Sequence, residues 1–255
     1  MSVHRAKSSS RNGRPQVRRA AFYDLDGTLV DLNLVHITLF VLSNLGEWSN
    51  RLSYLGAFAA RTPRLYAAEQ QDRRKLNILM FEAFKGISRD RLVELGREYC
   101  DRVLIGHLYP KGVELLEANR RAGLEPVLVT GSPDWVVGPL ARALNIEDFS
   151  ANRMAISRGR ATGRLLEPIM ATAEKATWCE QYASDHGMKL ADCWGYADSH
   201  YDLPFLTALG HPVAVNPDKR LRATAMSRQW PIIHLEKNSN GSSIIADNVR
   251  RLVEA

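Results

Sequence analysis

Two patterns of hydrophobic and polar positions divide this sequence. Short apolar runs alternate with amphipathic stretches near the N-terminus and again from Tyr109 onward, which is the rhythm of strands alternating with helices. The predicted strands are Ala20–Tyr23, Pro126–Val129, Cys193–Ala197, Val213–Val215 and Ile232–Leu235, with two or three short strands within residues 150–166 that turn at Arg158-Gly159 and Thr162-Gly163. The predicted helices are Lys111–Ala122, Asp134–Leu144, Thr172–His186, Leu203–Leu209, Pro217–Arg228 and Ile244–Val253. This alternation predicts an α/β fold with a doubly wound parallel sheet.

Residues 32–108 carry a different pattern. They show no alternation of strands and turns, and they contain the single proline Pro63. Helical periodicity predicts the helices Leu32–Leu45, Arg51–Ala60, Tyr66–Phe84 and Arg89–Leu104. We therefore predict a helical cap of residues 32–108, inserted into an α/β core that comprises residues 20–31 and 109–255.

The stretch Ala20–Val30, which reads AAFYDLDGTLV, is the first candidate for chemistry. An apolar strand ends at Asp24, and Gly27 supplies a turn. Because side chains alternate along a strand, Asp24 and Asp26 point the same way while Leu25 faces the core. Two carboxylates at the carboxyl end of a strand lie where α/β folds bind ligands, and they repel each other unless a cation intervenes or one keeps a proton. The alternative is that both merely end a strand and cap the next turn.

Two later segments complement these carboxylates. Thr130 and Gly131 follow a predicted strand, where a hydroxyl, a backbone amide and a helix dipole favour phosphoryl oxygens. The alternative is a plain strand-to-helix junction with Ser132 as the helix N-cap. Lys175 lies near the start of a predicted helix, and it is either a surface charge or the cation that offsets the charge around Asp24.

The segment Trp194–Pro204 again places carboxylates after an apolar strand. Asp198 stands at the predicted strand end, and Asp202 follows four residues later. Asp198 can coordinate a hard cation, and Asp202 can orient the ligands around it. The alternative is a second strand end with a helix-capping aspartate. We interpret His200 as a loop residue, since magnesium prefers oxygen ligands.

In their order along the chain, these motifs resemble those of the haloacid dehalogenase superfamily. The matching residues are Asp24, Asp26, Thr130, Lys175, Asp198 and Asp202. The resemblance covers residues 20–235, and the helical insert directly after the first motif resembles the phosphoserine phosphatase-like branch, which carries its cap there. It implies a Rossmann-like core with an inserted helical cap and a hydrolase that acts on phosphomonoesters.

The resemblance also implies roles for individual residues. Asp24 would attack phosphorus and form an aspartyl-phosphate, and Asp26 would act as general acid and base. Thr130, Gly131 and Lys175 would stabilise charge on the transferring phosphoryl group. Dehalogenating members of the superfamily lack an aspartate at the position of Asp26, so its presence favours phosphoryl transfer to water.

Mg²⁺ is the cofactor that the resemblance implies. Its protein ligands would be the carboxylate of Asp24, the backbone carbonyl of Asp26 and the carboxylate of Asp198. Asp202 would hold these three ligands in position.

The substrate is less constrained. Phosphoserine phosphatases carry a glutamate in the cap that binds the substrate's ammonium group, and the corresponding position here is about Asn33, among apolar neighbours. A neutral, apolar setting favours a small or lipid-like phosphomonoester over an amino acid. Phosphoserine is the alternative, and a non-catalytic binding or scaffold protein is the second alternative. The apolar cap residues are also typical of simple helix packing.

Composition places the chain among ordinary globular proteins. Of its 255 residues, 45% are hydrophobic and 24% are charged. Cys100, Cys179 and Cys193 lack the spacing of metal ligands, which is typical of reduced cytosolic thiols. No apolar run reaches the roughly 20 residues that a membrane-spanning helix needs. We therefore expect a cytoplasmic protein.

The net charge of +6 is concentrated at the N-terminus. Residues 1–19 contain six basic residues, no acidic residue and several serines, which predicts a disordered basic tail. A solvated tail is the simplest interpretation. Peripheral contact with an anionic membrane, at its inner face, is the functional alternative, and a short targeting peptide is a further one. No specific nucleic-acid partner is expected.

Overall fold

The computed structural model of the protein describes residues 18–46 and 48–237. The predicted basic tail of residues 1–19 lies outside these ranges except for its last two residues, of which Arg19 begins the first strand. The predicted helix Ile244–Val253 also lies outside them. The expectations for the two ends of the chain therefore stay predictions.

A parallel sheet forms the centre of the protein. The strands are β1 (Arg19–Tyr23), β2 (Leu124–Pro133), β3 (Asp148–Asn152), β4 (Met154–Ser157), β5 (Arg160–Leu165), β6 (Trp194–Ala197), β7 (His211–Val215) and β8 (Ile232–Ile233). Six of them form the sheet in the order β3-β2-β1-β6-β7-β8, with every neighbouring pair parallel. β1 is central, since Tyr23 lies opposite Leu128 on β2 and opposite Tyr196 on β6. The predicted α/β fold with a parallel sheet is confirmed.

Five α-helices follow β1 along the chain, as the pattern of residues 32–108 predicts. These helices are α1 (Leu34–Ser43), α2 (Trp48–Ala59), α3 (Thr62–Gln71), α4 (Arg73–Phe81) and α5 (Arg89–Tyr99). A π-helical turn (Cys100–Leu104) and a 3₁₀ turn (Ile105–His107) extend α5. Ser88 caps α5 by accepting a hydrogen bond from the Arg91 amide.

The single helix predicted over Tyr66–Phe84 is wrong, because the structure breaks it at Asp72. This residue has extended backbone angles (φ −158°, ψ 109°), and its side chain accepts hydrogen bonds from the amides of Arg74 and Lys75. An aspartate that caps a new helix competes with continuation of the old one. The helical periodicity continues across Asp72, so the pattern alone does not reveal the break.

One face of α1 packs inside the protein. Leu34, Ile37, Val41 and Leu42 are all buried, and they belong to one hydrophobic core with residues of α5 and of the sheet. Asn33 caps the helix by accepting a hydrogen bond from the Val35 amide. Within residues 18–46 and 48–237, no helix combines the length and the hydropathy that crossing a membrane requires.

The remaining helices cover both faces of the sheet. They are α6 (Pro110–Arg121), α7 (Asp134–Ala143), α8 (Ala173–Asp185), α9 (Leu203–Ala208) and α10 (Lys219–Ser227). Ala21 and Tyr23 of β1 share a core with α6 and α7, whereas Ala20 and Phe22 share a second core with α8, α9 and α10. Burial of alternate residues on both faces explains why β1 reads as a continuous apolar run.

The region of residues 150–166 differs in part from its prediction. β3 joins the main sheet beside β2, while β4 and β5 form a separate antiparallel hairpin. The predicted turn at Arg158-Gly159 connects that hairpin, and both residues have positive φ (48° and 74°). The predicted turn at Thr162-Gly163 is wrong, since both residues lie within β5.

The chain crosses between the sheet and the inserted helices at two neighbouring points. The amide of Tyr109 donates to the carbonyl of Leu29 (2.9 Å), and the amide of Asp31 donates to the carbonyl of His107 (3.2 Å). Two crossings side by side are typical of a domain inserted into a loop. This pairing supports the predicted boundaries of the cap at residues 32 and 108, which stay a prediction.

Candidate active site

Two strand ends bring the candidate carboxylates together. Asp24 directly follows β1, Asp198 directly follows β6, and these strands are neighbours in the sheet. The carboxyl ends of parallel strands meet at one edge of a sheet, so the two side chains converge. Asp202 joins them from the turn before α9, and one carboxylate oxygen from each of the three lies within 4.8 Å of the others.

Lys175 reaches this cluster from the first turn of α8. Its Nζ lies 2.7 Å from Asp24 Oδ1 and 2.7 Å from Asp202 Oδ1. The contact with Asp24 is a hydrogen bond, whereas that with Asp202 is an ion pair without hydrogen-bond alignment. Burial disfavours the ammonium form, but the carboxylates of Asp202 and Asp24 outweigh it and raise the pKa of Lys175. The lysine is therefore a buried cation of the site rather than a surface charge.

One lysine does not balance the carboxylates around it. Burial, with repulsion from Asp24 and Asp202, raises the pKa of Asp198 well above its ordinary value. Burial likewise raises the pKa of Asp202 to about 6, against the opposing attraction of Lys175. A divalent cation between these groups would relieve that repulsion. Clustered carboxylate oxygens are the donor set that Mg²⁺ prefers, so these residues fit the ion that the sequence implies.

Asp26 occupies a separate position from the other three carboxylates. Its Oδ2 accepts a hydrogen bond from the hydroxyl of Ser132 (2.7 Å). Burial and the charge of Asp24 raise the pKa of Asp26 to about 6, although the Ser132 hydroxyl acts in the opposite direction. An acid with a pKa near neutrality can both donate and accept a proton.

The loop after β1 is shaped for close contact with Asp198. Gly27 has φ +83°, and a Cβ at this position would lie 2.2 Å from Asp198 Oδ2. Thr28 donates a hydrogen bond from its hydroxyl to Asp198 Oδ1 (3.3 Å). Any larger residue than glycine would therefore displace the carboxylate as well as strain the backbone.

The predicted phosphate contacts of Thr130 and Gly131 lie at different depths. Thr130 is fully buried, and its Oγ1 accepts a hydrogen bond from the amide of Ser132 (3.1 Å). Gly131 forms part of the cavity wall instead. A Cβ on Gly131 would lie 2.8 Å from Nδ2 of Asn77, so the glycine lets this residue of α4 approach. The roles of both residues in phosphate binding stay predictions.

A cavity of about 670 Å³ opens over these carboxylates. The sheet side of its wall includes Asp24, Asp26, Lys175, Asp198 and Asp202, so the structure brings these predicted site residues together. The helical side includes Leu32, Asn33, Glu69, Gln70, Arg73 and Asn77. Most of these side chains are polar or charged, which favours a polar ligand.

Arg73 is the cation that the helical side presents to the site. It is half-buried at the start of α4, and its positive charge acts against the burial that raises the pKa values of Asp26, Asp198 and Asp202. Among residues 18–46 and 48–237, it has no ion-pair partner within 4.0 Å. A guanidinium group that lines the cavity without such a partner is suited to bind an anionic group of a ligand.

The neighbouring Arg74 joins the helical region to the sheet region. Its guanidinium pairs with Glu174 (2.9 Å) and with Glu167 (2.5 Å), and Glu174 directly precedes Lys175. Tyr201 donates a hydrogen bond from its hydroxyl to the backbone carbonyl of Glu69. These contacts fix α3 and α4 over the carboxylates.

Further pairs of ionisable side chains lie around the mouth of the cavity. Asp31 contacts His107 (2.7 Å) and Lys237 (3.3 Å). His200 Nδ1 lies 2.8 Å from Asp218 Oδ2, and the backbone amide of His200 donates to the same oxygen. His200 therefore lies in a turn and pairs with a carboxylate, in agreement with its interpretation as a loop residue.

Three residues at the site were not predicted from the sequence. The sequence assigns Ser132 a role only in the alternative of a plain strand-to-helix junction, as the helix N-cap. In the structure α7 begins at Asp134 with Pro133 at the capping position, and the Ser132 hydroxyl contacts Asp26 instead. Arg73 and Asn77 lie within a segment whose pattern indicates only a helix. Their spacing of four residues on α4 was a usable signal, because it places both on the same face.

The comparisons with known proteins agree with this geometry. Residues 21–207 match the sequence profile of the haloacid dehalogenase-like hydrolases, so the chain belongs to this family of hydrolases. Among its relatives, a phosphoserine phosphatase of Mycobacterium tuberculosis is 31% identical over 234 residues, which cover 89% of this chain and 74% of the relative. The predicted membership of the phosphoserine phosphatase-like branch, and the predicted enzyme class of phosphatase, are confirmed.

Two further proteins are similar over most of the chain. A histidinol-phosphatase of Neisseria meningitidis is 26% identical over 232 residues, which cover 86% of this chain and 100% of the relative. A protein of unknown function from Bordetella pertussis has a solved structure with a TM-score of 0.73 and 26% identity, covering 86% of this chain and 99% of that one. The phosphoserine phosphatase and the histidinol-phosphatase are named for different phosphorylated compounds. Membership of the family therefore does not by itself define the substrate.

Proposed function

We propose that this protein is a Mg²⁺-dependent phosphatase that hydrolyses a small, polar phosphomonoester through an aspartyl-phosphate on Asp24. The observation that carries the proposal is the buried pair of Asp24 and Lys175, which lies beside a second aspartate with a pKa of about 6. A nucleophile, a charge-stabilising cation and a proton carrier are the groups that a covalent phosphoryl transfer needs.

Asp24 is the nucleophile in this proposal. One of its carboxylate oxygens forms a bond to phosphorus while the bond from phosphorus to the substrate oxygen breaks. Lys175 Nζ, 2.7 Å from Asp24 Oδ1, lies where it can offset negative charge on the transferring phosphoryl group. The amide of Gly131 and the hydroxyl of Thr130 complete the phosphate contacts in the family's arrangement.

Asp26 carries the proton in both halves of the reaction. In the first step its carboxyl proton moves to the leaving oxygen of the substrate alcohol. In the second step its carboxylate takes a proton from the water that attacks phosphorus, which releases inorganic phosphate and regenerates Asp24. A pKa of about 6 suits a group that changes between these two roles.

Asp24, Asp198 and the backbone carbonyl of Asp26 would bind Mg²⁺. When bound, the ion supplies positive charge that offsets the repulsion between substrate phosphate and carboxylates. Among the described residues, no backbone amide donates to the Asp26 carbonyl, which leaves that oxygen available. Asp202 pairs with Lys175 and orients the lysine as well as the ligand set.

The cavity favours a small polar substrate over a lipid-like one. Among the apolar neighbours of Asn33 that favoured a lipid-like substrate, Leu34 and Ile37 are in the hydrophobic core. Val35 is exposed and does not line the cavity, whereas Leu32 does, so these residues give a lipid-like substrate little support. Arg73 faces the catalytic carboxylates and would bind the phosphate or another anionic group of the substrate. Phosphoserine stays the alternative because of the related phosphoserine phosphatase, although Asn33 at the cavity wall carries no charge for its ammonium group.

The test is phosphate release from a panel of monoesters, with Mg²⁺ and with a chelator. The panel comprises phosphoserine, histidinol phosphate, sugar phosphates, nucleotides and lysophosphatidate, and wild type is compared with Asp24→Asn. We expect Mg²⁺-dependent turnover in wild type and background rates in the variant. A folded, metal-loaded wild-type protein that releases no phosphate from any compound would favour the non-catalytic scaffold alternative instead.

A further inference from the structure

We infer that Ser132 is a positioning residue that fixes the carboxyl group of Asp26 for proton transfer. The inference rests on the proposed function, in which Asp26 is the general acid and base. Its basis is a hydrogen bond of 2.7 Å from the hydroxyl of the fully buried Ser132 to Oδ2 of the partly buried Asp26. Helix capping does not account for Ser132, because α7 begins beyond it and its side chain donates to Asp26.

The course of β2 explains why this serine reaches Asp26. β1 ends at Tyr23, which lies opposite Leu128, but β2 continues to Pro133. The extra length carries Ser132 past the end of β1 to the level of the loop that contains Asp26.

The backbone around Ser132 is fixed by buried polar contacts. Its amide donates to Thr130 Oγ1 (3.1 Å). Asn152 on β3 donates to the carbonyl of Gly131 (2.8 Å) and accepts from the amide of Met170 (2.8 Å). Ser132 and Asn152 are both 0% exposed. The hydroxyl therefore points from a rigid segment.

Burial makes the contact selective for one orientation of Asp26. If the carboxyl group rotated away, the Ser132 hydroxyl would lose its partner with no access to solvent, which is unfavourable. The hydrogen bond uses one lone pair of Oδ2, so we assign to Oδ1, which has no such partner among the described residues, the exchange of the proton with the leaving group and with water. Ser132 keeps its own proton and acts only through Asp26.

Leaving-group dependence distinguishes this role from a purely structural one. We would compare kcat/KM for phenyl phosphate, whose leaving group needs a proton, with that for 2,4-dinitrophenyl phosphate, whose leaving group does not. Ser132→Ala should lower kcat/KM for phenyl phosphate by ~10- to 100-fold and that for the dinitrophenyl ester by less than ~3-fold, as expected for loss of one hydrogen bond to a charged group. Ser132→Thr keeps a hydroxyl and should restore most of the difference.

The Asp26→Asn background supplies the second readout. If Ser132 acts through Asp26, adding Ser132→Ala to Asp26→Asn should change the remaining rate on phenyl phosphate by less than ~2-fold, against the ~10- to 100-fold effect in the wild-type background. Ser150→Ala is the matched control, since Ser150 is a buried serine on the adjacent β3. It should leave both substrates unaffected.

The possible results separate the inference from the proposed function. Equal losses on both substrates, or a full additional loss in the Asp26→Asn background, would overturn the role of Ser132 while leaving the phosphatase intact. Absence of Mg²⁺-dependent hydrolysis of either ester by wild type would overturn the proposed function itself. If Ser132→Ala does not fold, Ser132→Cys replaces it, because a thiol of similar size is a weak donor and should show the same dependence on leaving group.

Discussion

The two sides of the cavity differ in how their charges are satisfied. On the sheet side, Asp24 and Asp202 are buried and paired with Lys175, and their positions follow from strand ends. On the helical side, Arg73 and Glu69 are half-buried or exposed, and they come from α3 and α4. Buried, mutually dependent charges suit chemistry that must keep one geometry, whereas accessible charges suit recognition of a particular substrate. We therefore assign the reaction to the sheet side and selectivity to the helical side.

The largest expected effect concerns the sheet side. Asp198→Asn removes one of the carboxylates expected to bind Mg²⁺, so kcat/KM at fixed Mg²⁺ should fall by at least ~10²-fold. The measurement is a titration of activity with Mg²⁺, with the exposed Asp185→Asn as the matched control. Without metal, the Asp198→Asn protein should unfold at a higher temperature than metal-free wild type, since one repelling charge is gone. Unchanged activity and metal dependence would remove Asp198 from the site.

The next effect concerns the helical side. Arg73→Ala should raise KM by ~10-fold or more for the preferred substrate, because an accessible guanidinium that binds an anionic group is lost. Lys75→Ala is the control, since Lys75 is exposed on the same helix and does not line the cavity. If Arg73→Ala instead changed the rates of all esters equally, with KM unchanged, the assignment of selectivity to this side would be wrong.

A smaller effect concerns stability and pH. Burial first, and then neighbouring carboxylates, raise the pKa values of Asp26 and Asp202 to about 6 in the folded protein. The folded state therefore binds more protons than the unfolded state between about pH 4 and pH 6, where unfolded aspartates titrate near ~3.9. Metal-free protein should accordingly lose stability as pH rises through this window, with Tm falling by ~10 °C or more. Saturating Mg²⁺ should reduce this slope, and a Tm of the metal-free protein that rises with pH across the window would contradict the account.

The contrast between the sheet side and the helical side of the cavity also explains which parts of the molecule could be predicted from the sequence. Strand ends with carboxylates are local patterns, so Asp24, Asp26 and Asp198 could be found by reading short segments. Lys175 could be placed only through the order of the motifs, since a lone helical lysine carries no local signal. The α/β rhythm likewise predicted the parallel sheet and most helix positions.

The remaining features depend on contacts between distant segments. Ser132 contacts Asp26 because β2 extends past the last residue that pairs with β1. A short apolar run in the sequence does not show how far a strand continues beyond its paired residues. Arg73 reaches the cavity because Asp72 ends one helix and starts another, which helical periodicity across the break conceals. Arg74 is directed away from the cavity by glutamates about a hundred residues further along the chain.

The most direct test of the central claim is to detect the phosphoryl group on Asp24. Wild-type protein with Mg²⁺ and the preferred monoester would be quenched in acid during turnover, and its peptides would be analysed by mass spectrometry. The account predicts one added phosphoryl group on the peptide that contains Asp24, and none in Asp24→Asn. Rapid turnover with phosphate on another residue, or hydrolysis that persists at the wild-type rate in Asp24→Asn, would contradict it.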